Sequence, residues 1–292
     1  MDTSVSIIIV NYKTKDLTLQ CIDSIFQWTS GVEYEIILVD NHSEDGSVKK
    51  IRESYPNIKV IENKENQGFG RANNIGAKLA KGRYLFLLNS DTILVENVIK
   101  GFYDFMESHP EYASCGCNLI NAKGENVPTH GCLPSFTQEL VDCCRFRFLD
   151  NYYKNKLSLA QTIDCGDTNN PGYIAGADIF IRASVFSQLG GFDSNIFMYF
   201  EETDLYFRME KVGYKSILLL EYNIIHLVGG SMSFNHDKDL RRFKIFEKSR
   251  MYYYRKNHNT VAAKVVKLCR MISVLRHNYS YKLEKIKILR EV

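Results

Sequence analysis

Between Tyr84 and Asp91 the chain reads YLFLLNSD, five apolar residues that stop at three polar ones. A continuous apolar run of this length, preceded by Lys81, Gly82 and Arg83, fits a strand buried on both faces of a parallel sheet. In open α/β sheets ligands sit outside the carboxyl ends of the strands. Asn89, Ser90 and Asp91 therefore have two readings. Asp91 holds a metal ion that in turn holds phosphates, or the three residues form a turn that caps a helix beginning near Val95.

The flanking sequence repeats the pattern of strand, polar end, helix. Ser4 to Val10 is β-branched and ends at Asn11 and Tyr12, and apolar residues at helical spacing follow from Asp16 to Trp28. Tyr34 to Val39 is a second strand ending at Asp40, Asn41 and His42, with a helix over roughly Val48 to Tyr55. Asn57 to Glu62 is a third strand. NQGFGRANN then leads into a helix over Ala72 to Ala80, where Gly68 and Gly70 permit positive φ or close approach to a ligand. That spacing matches neither the dinucleotide-binding nor the P-loop pattern. Beyond Tyr84 to Leu88 come a helix from Val95 to Ser108 and a strand from Ala113 to Leu119. Gly124 to Pro171 is rich in turn residues, the place for a variable, substrate-recognising surface. Strands over Gly172 to Arg182 and Tyr214 to Leu220 enclose a helix from Thr203 to Val212, and the sequence from His236 onward reads as helices. Alternating strands and helices predict a doubly wound, mainly parallel sheet.

Charge is distributed unevenly along the chain. Asp237 to Val292 holds 16 Lys and Arg against 5 Asp and Glu, leaving 21 against 29 in the rest, so a basic tail follows an acidic body. The eight cysteines show no paired CxxC spacing of the structural zinc type. MDTSVSIIIV lacks the basic start and cleavage site of a secretory signal, which predicts a cytoplasmic protein with reduced thiols. No apolar stretch approaches the roughly 20 residues of a membrane span. The basic tail contains no nucleic-acid-binding module, and the acidic body opposes such a role, so no nucleic-acid partner is expected.

Taken in order, these features resemble the inverting family 2 glycosyltransferases with the nucleotide-sugar-binding GT-A fold. The resemblance runs from Val5 to about Ser231 through IIIVNY, ILVDNHSEDGS, ENQGFGRANNIGA, LFLLNSD, AGADIFIR, GGFD, MYFEETDLYFRMEKVGY and HLVGGS. NxGFGRANN with NSD looks most like the bacterial rhamnosyltransferase-like subgroup. The fold implied is α/β, a Rossmann-like, mainly parallel sheet flanked by helices. The glycosyltransferase domain would span 1–235, with a nucleotide-sugar half at 1–120 and an acceptor-binding half at 121–235, followed by a helical basic extension at 236–292.

Carried over residue by residue, the resemblance places Val10, Tyr12 and Asp40 in the nucleoside pocket, Asp40 accepting from a pyrimidine N–H. Asn66, Gly68, Arg71 and Asn73, together with Asn89 and Ser90, would approach the donor sugar and diphosphate. Asp91 and His226 would hold a divalent metal, Mn2+ or Mg2+. Glu202 would be the catalytic base, and Gly176, Ala177, Tyr199 and Glu201 would contact the sugar or acceptor. Asn89 and Glu202 depart from the family pattern, where an acidic residue and an aspartate are common. The implied donor is dTDP-rhamnose or a UDP-hexose. The implied acceptor is a hydroxyl of a bacterial surface glycan such as O-antigen or capsule, which would be carried on polyprenyl diphosphate.

Each assignment has a plainer counterpart. Glu201, Glu202 and Asp204 suit a helix N-terminus through the macrodipole, a lone histidine is commonly an ordinary hydrogen-bonded one, and Arg71 fits an exposed helix face. A catalytically inactive nucleotide-binding assembly module is the competing reading for the whole chain. In the tail, Val261, Val265, Leu268, Ile272 and Leu275 recur at three- and four-residue steps beside Lys264, Lys267 and Arg270. This amphipathic helix either packs on the catalytic domain or lies on an anionic membrane surface, which would make the protein peripheral on the inner face of the cytoplasmic membrane.

Overall fold

The computed structural model describes residues 3–136, 139–140, 171–227, 236–276 and 280–292. Its first half is a run of parallel strands, β1 (Val5–Asn11), β2 (Tyr34–Asp40), β3 (Lys59–Glu62) and β4 (Tyr84–Asn89). They are linked by α1 (Lys15–Trp28), α2 (Ser47–Ser54) and α3 (Phe69–Ala77). The continuous apolar runs are explained by burial on both faces. Along β4, Tyr84, Phe86 and Leu88 enter one core with Ile7, Ile9, Ile22 and Phe102, while Leu85 and Leu87 enter the other with Ile8, Val39 and Ile179.

The sheet continues through β5 (Thr92–Leu94), β6 (Tyr112–Ile120), β9 (Asp178–Arg182) and β10 (Lys215–His226), in the order β3-β2-β1-β4-β9-β6-β10-β5. A separate ribbon pairs β7 (His130–Gly131) with β8 (Tyr173–Ile174). The remaining helices are α4 (Val98–Ser108), α5 (Ala183–Gln188), α6 (Glu201–Lys211), α7 (His236–Asn257), α8 (Thr260–Arg276) and α9 (Lys282–Glu291).

Several boundaries differ from the sequence reading. The stretch expected as one strand over Gly172 to Arg182 is two, because Ala175 to Ala177 leave the ladder, and its second part runs antiparallel between β4 and β6. Asn89 to Asp91 lead into β5, and the following helix begins at Val98 rather than near Val95. α3 starts at Phe69, three residues before the predicted start, and the last strand runs on to His226. Cys21, Cys115 and Cys117 are free thiols, but Cys132 is disulfide-bonded, which corrects the expectation of uniformly reduced thiols. No CxxC spacing announces that pairing. Gly229, Gly230 and Ser231 and most of the predicted variable surface lie outside the described residues.

Candidate active site

The ends of β1 and β2 are joined by buried amides. Asn11 Nδ2 donates to Asp40 Oδ1 at 2.7 Å and to Ser47 Oγ at 2.7 Å, and Asp40 Oδ2 accepts the Ser43 N–H at 3.0 Å. Asp40 is therefore held rigidly at the rim of a cleft of about 580 Å3 that His42, Arg52, Glu62 and Asn63 also line. Tyr12 is 41% exposed just past the end of β1, with Lys13 Nζ 5.5 Å from its ring centroid, and Val10 is half-buried.

Asn41, which the sequence reading passed over, organises the next loop. Its Nδ2 donates to Asn66 Oδ1 and the Gly68 carbonyl, and its Oδ1 accepts from Asn63 Nδ2 and the Gln67 N–H. Asn66 Oδ1 also accepts the Gly68 N–H at 2.9 Å. Gly68 has φ +80°, and a Cβ there would lie 2.0 Å from the Phe197 carbonyl oxygen. The close approach that demands glycine is thus to the protein's own chain, and the Phe69 N–H donates to that same carbonyl at 3.1 Å. A Cβ on Gly70 would in turn meet Glu201 Cβ at 3.4 Å.

Two of the predicted donor residues are turned to other partners. Asn73 is buried, its Nδ2 on the Phe69 carbonyl. Arg71 is exposed and donates from Nε to the Ser194 carbonyl, beside a different cavity shared with Gln67, Asn74 and Phe186.

At the end of β4 the backbone is fixed from three sides. The Asn89 N–H donates to the Ala177 carbonyl at 3.0 Å, Ser90 Oγ is 3.0 Å from Thr14 Oγ1, and the Leu227 N–H donates to the Asp91 carbonyl at 2.8 Å. The antiparallel β5–β10 pair sets Thr92 opposite His226, and Asp91 Oδ1 stands 3.3 Å from His226 Nε2, both side chains partly accessible. Residues 135 positions apart in sequence thus form one carboxylate–imidazole pair. Among the described residues no three metal-ligating side chains converge. Two partly accessible protein donors nevertheless suit Mg2+ or Mn2+, which keep several non-protein ligands.

The other acidic corner is the start of α6. Tyr199 (φ +66°) and Phe200 (φ +69°) both occupy the left-handed region, which is strained for such bulky residues. This double turn swings the chain so that Glu201 and Glu202 open the helix. Glu201 is buried, and its Oε2 has no hydrogen-bond partner among the described residues, while Glu202 is half-buried. Burial pushes both carboxyls above the usual range. Glu201 is raised further by the charge on Glu202, which in turn is held down by the backbone N–H groups of Glu202 and Thr203. The two carboxyls therefore titrate as one pair, with proton affinity raised by burial. Gly176 and the buried Ala177 stand between β8 and β9, and the neighbouring Tyr173 is close enough to feel the Glu202 charge.

What holds this corner comes from the basic extension. Ser249 Oγ donates to the Met198 carbonyl at 2.8 Å. Phe200 packs with Met251, Tyr253 and Phe246, and the Tyr199 ring lies 5.5 Å from that of Phe246. Lys256 Nζ bridges Asp193 at 2.7 Å and both oxygens of the buried Asp204 at 2.8 and 2.9 Å, joined there by Asn257 and Arg208. Asp204 is thereby committed to structure.

The sequence profile of glycosyl transferase family 2 matches residues 6–184, and the protein belongs to that family. Its sheet-centred α/β architecture is the GT-A fold.

The chain is 25% identical over 204 residues to the N-acetylglucosaminyl-diphospho-decaprenol L-rhamnosyltransferase of Mycobacterium tuberculosis, covering 65% of this chain and 66% of that protein. It is 33% identical over 129 residues to the poly(ribitol-phosphate) beta-glucosyltransferase of Bacillus spizizenii, covering 42% of this chain and 20% of the relative. The chain thus spans less than two thirds of either relative. Among solved structures, the mannosyltransferase PcManGT from Pyrobaculum calidifontis, in complex with GDP-Man and Mn2+, superposes with a TM-score of 0.60 at 14% identity, over 100% of this chain and 74% of that one. S. aureus TarS 1–349 in complex with UDP-GlcNAc gives 0.54 at 15% identity, over 99% and 71%.

Proposed function

We propose that the protein transfers a sugar from a nucleoside diphosphate sugar to a hydroxyl of a bacterial surface-glycan acceptor, with inversion at the anomeric carbon. dTDP-rhamnose is the leading donor, on the strength of the rhamnosyltransferase relative, with UDP-hexoses behind it. The observation that carries the reading is the seating of the donor-side loop, Gly68 to Gly70, directly on the segment that delivers Glu201 and Glu202. A bound donor and the base are thereby referenced to one piece of backbone, which is the alignment that displacement requires.

In this reading Tyr12 and Asp40 hold the nucleoside, with Val10 behind them. The 1–120 half binds the donor and the 121–235 half faces the acceptor. Glu202 takes the proton of the attacking hydroxyl as its oxygen bonds to the anomeric carbon and the bond to the diphosphate breaks. Asp91 and His226 are the residues that would hold Mn2+ or Mg2+, whose contribution when bound is to neutralise charge on the leaving diphosphate. A proton held between Glu201 and Glu202 would avoid a second negative charge in the corner.

A panel of dTDP, UDP and GDP in thermal-shift measurements, with and without Mn2+, tests the donor side, since a ligand that binds the folded state raises the melting temperature. Transfer or hydrolysis of the matching nucleotide sugar tests the chemistry. Stabilisation without any turnover would favour the inactive binding module instead.

A further inference from the structure

We propose that the outer face of α8, with the adjoining start of α9, is a docking surface for an anionic lipid bilayer. The inference rests on how α8 is seated and does not depend on the sugar-transfer reading. On its inner face Ala262, Ala263, Val266, Cys269 and Val274 are buried, where α8 packs on α7 and α9. The stripe of larger apolar residues points the other way, with Val261 69%, Leu268 56% and Leu275 61% exposed. Val265 and Ile272 are partly accessible between them. At 1.5 Å per residue the stripe is about 21 Å long, and Leu283, 83% exposed, carries apolar surface onto α9. Packing on the catalytic domain therefore does not account for this stripe.

Charge decides between the two occupants that such a stripe suits. Its alternating four- and three-residue spacing is also that of a coiled-coil seam, so a second copy of the chain is a geometric possibility. Yet α8 contains four basic residues, Lys264, Lys267, Arg270 and Arg276, and no acidic one; Arg270 is paired with Glu247 of α7 and Lys267 donates to the Arg290 carbonyl, but Lys264 stays exposed. Two such seams brought together would set cation against cation with no acid on either helix. A membrane of anionic headgroups meets Lys264 and the net basic charge of the extension, 16 Lys and Arg against 5 Asp and Glu over 237–292, with opposite charge and takes the apolar stripe into its interface. Lys264 is exposed beside the stripe. The buried face of the same helix, through Ala263 and Val266, belongs to the cluster that contains Phe200, so the lipid surface would lie one helix layer from the residue before Glu201.

The test uses the full chain in co-sedimentation with phosphatidylglycerol-containing vesicles and with pure phosphatidylcholine vesicles, at low and high salt. The expected result is pelleting with the anionic vesicles at low salt, release at high salt and little pelleting with neutral ones. Leu268→Gln with Leu275→Gln should weaken binding at least about ten-fold, and Lys264→Glu should weaken it on anionic vesicles only. Both leucines are exposed, so an unchanged melting temperature would show the variant folded. Wild-type protein remaining in the supernatant overturns the proposal, as does equal binding by the folded double variant. A wild-type dimer in sedimentation equilibrium that Leu268→Gln dissociates would overturn it in favour of a second copy.

Discussion

Asp91 meets His226 because the short strand β5 pairs in register with the end of the long strand β10, whereas Glu201 and Glu202 open α6 because a strained turn is clamped from outside the sheet. The first corner uses backbone hydrogen bonds of β5 and β10 and leaves its side chains partly in water. The second desolvates its carboxyls and depends on Ser249, Phe246 and Lys256, all from α7. A site that must admit a charged diphosphate needs accessible donors. One that must accept a proton gains from a carboxylate whose affinity for protons has been raised by burial. The contrast therefore predicts that the two corners fail separately.

The largest effect is expected at the register-built corner. Asp91→Ala should abolish Mn2+-dependent nucleotide binding in calorimetry, since Asp91 supplies the only carboxylate of the Asp91–His226 pair, and His226→Ala should weaken it less. Unchanged Mn2+-dependent binding in Asp91→Ala would remove this corner from the mechanism.

Glu202→Gln should retain nucleotide binding and lose transfer by at least about 100-fold, the range for a missing general base. Asp204→Asn should instead lower the melting temperature, because Lys256, Arg208 and Asn257 lose their shared carboxylate. Normal turnover in Glu202→Gln would place the base elsewhere in the cluster.

The clamp itself is tested by Lys256→Met, which leaves Asp204 buried with fewer partners and should cost about 3 kcal/mol of stability. Transfer should fall about ten-fold in kcat, less than the roughly 100-fold that a full ångström of misplacement can cost, with nucleotide affinity preserved, and Lys256→Arg should restore part of it. A matching loss of nucleotide affinity would show that the two corners are not independent.

These differences also explain what the sequence disclosed. The succession of strands along the chain, their polar ends and the Asp91 position follow from apolar runs that terminate abruptly, a local signal. The stripe on α8 was equally visible, but not the direction it faces, because Ala262, Ala263, Val266, Cys269 and Val274 make the opposite side apolar too. Asn41 was invisible as an organiser, since its four partners belong to a loop 22 to 27 residues away. The antiparallel direction of β9 is likewise not encoded in a fully buried strand, whose residues look the same in either orientation.

Asp178 sharpens the comparison by separating desolvation from the strained turn. It lies on β9, wholly buried, with Oδ2 accepting the Cys117 N–H at 2.7 Å and Oδ1 without a partner among the described residues. Burial alone pushes its carboxyl up to about 8, against the partial offset of the Cys117 hydrogen bond. The folded state therefore keeps a proton that the unfolded chain releases near pH 4. Between those two values the folded protein binds more protons than the unfolded one, so stability falls as pH rises, at about 1.4 kcal/mol per pH unit, and levels off above about pH 8. Asp178→Asn keeps an acceptor for Cys117 and places an uncharged amide where the protonated acid has its hydroxyl. The two proteins should be similarly stable near pH 4, and the variant should gain steadily on the wild type as denaturation is measured at pH 5, 6 and 7. Parallel pH profiles would mean that Asp178 ionises in the folded state, and burial would then not suffice to explain the raised carboxyls of Glu201 and Glu202.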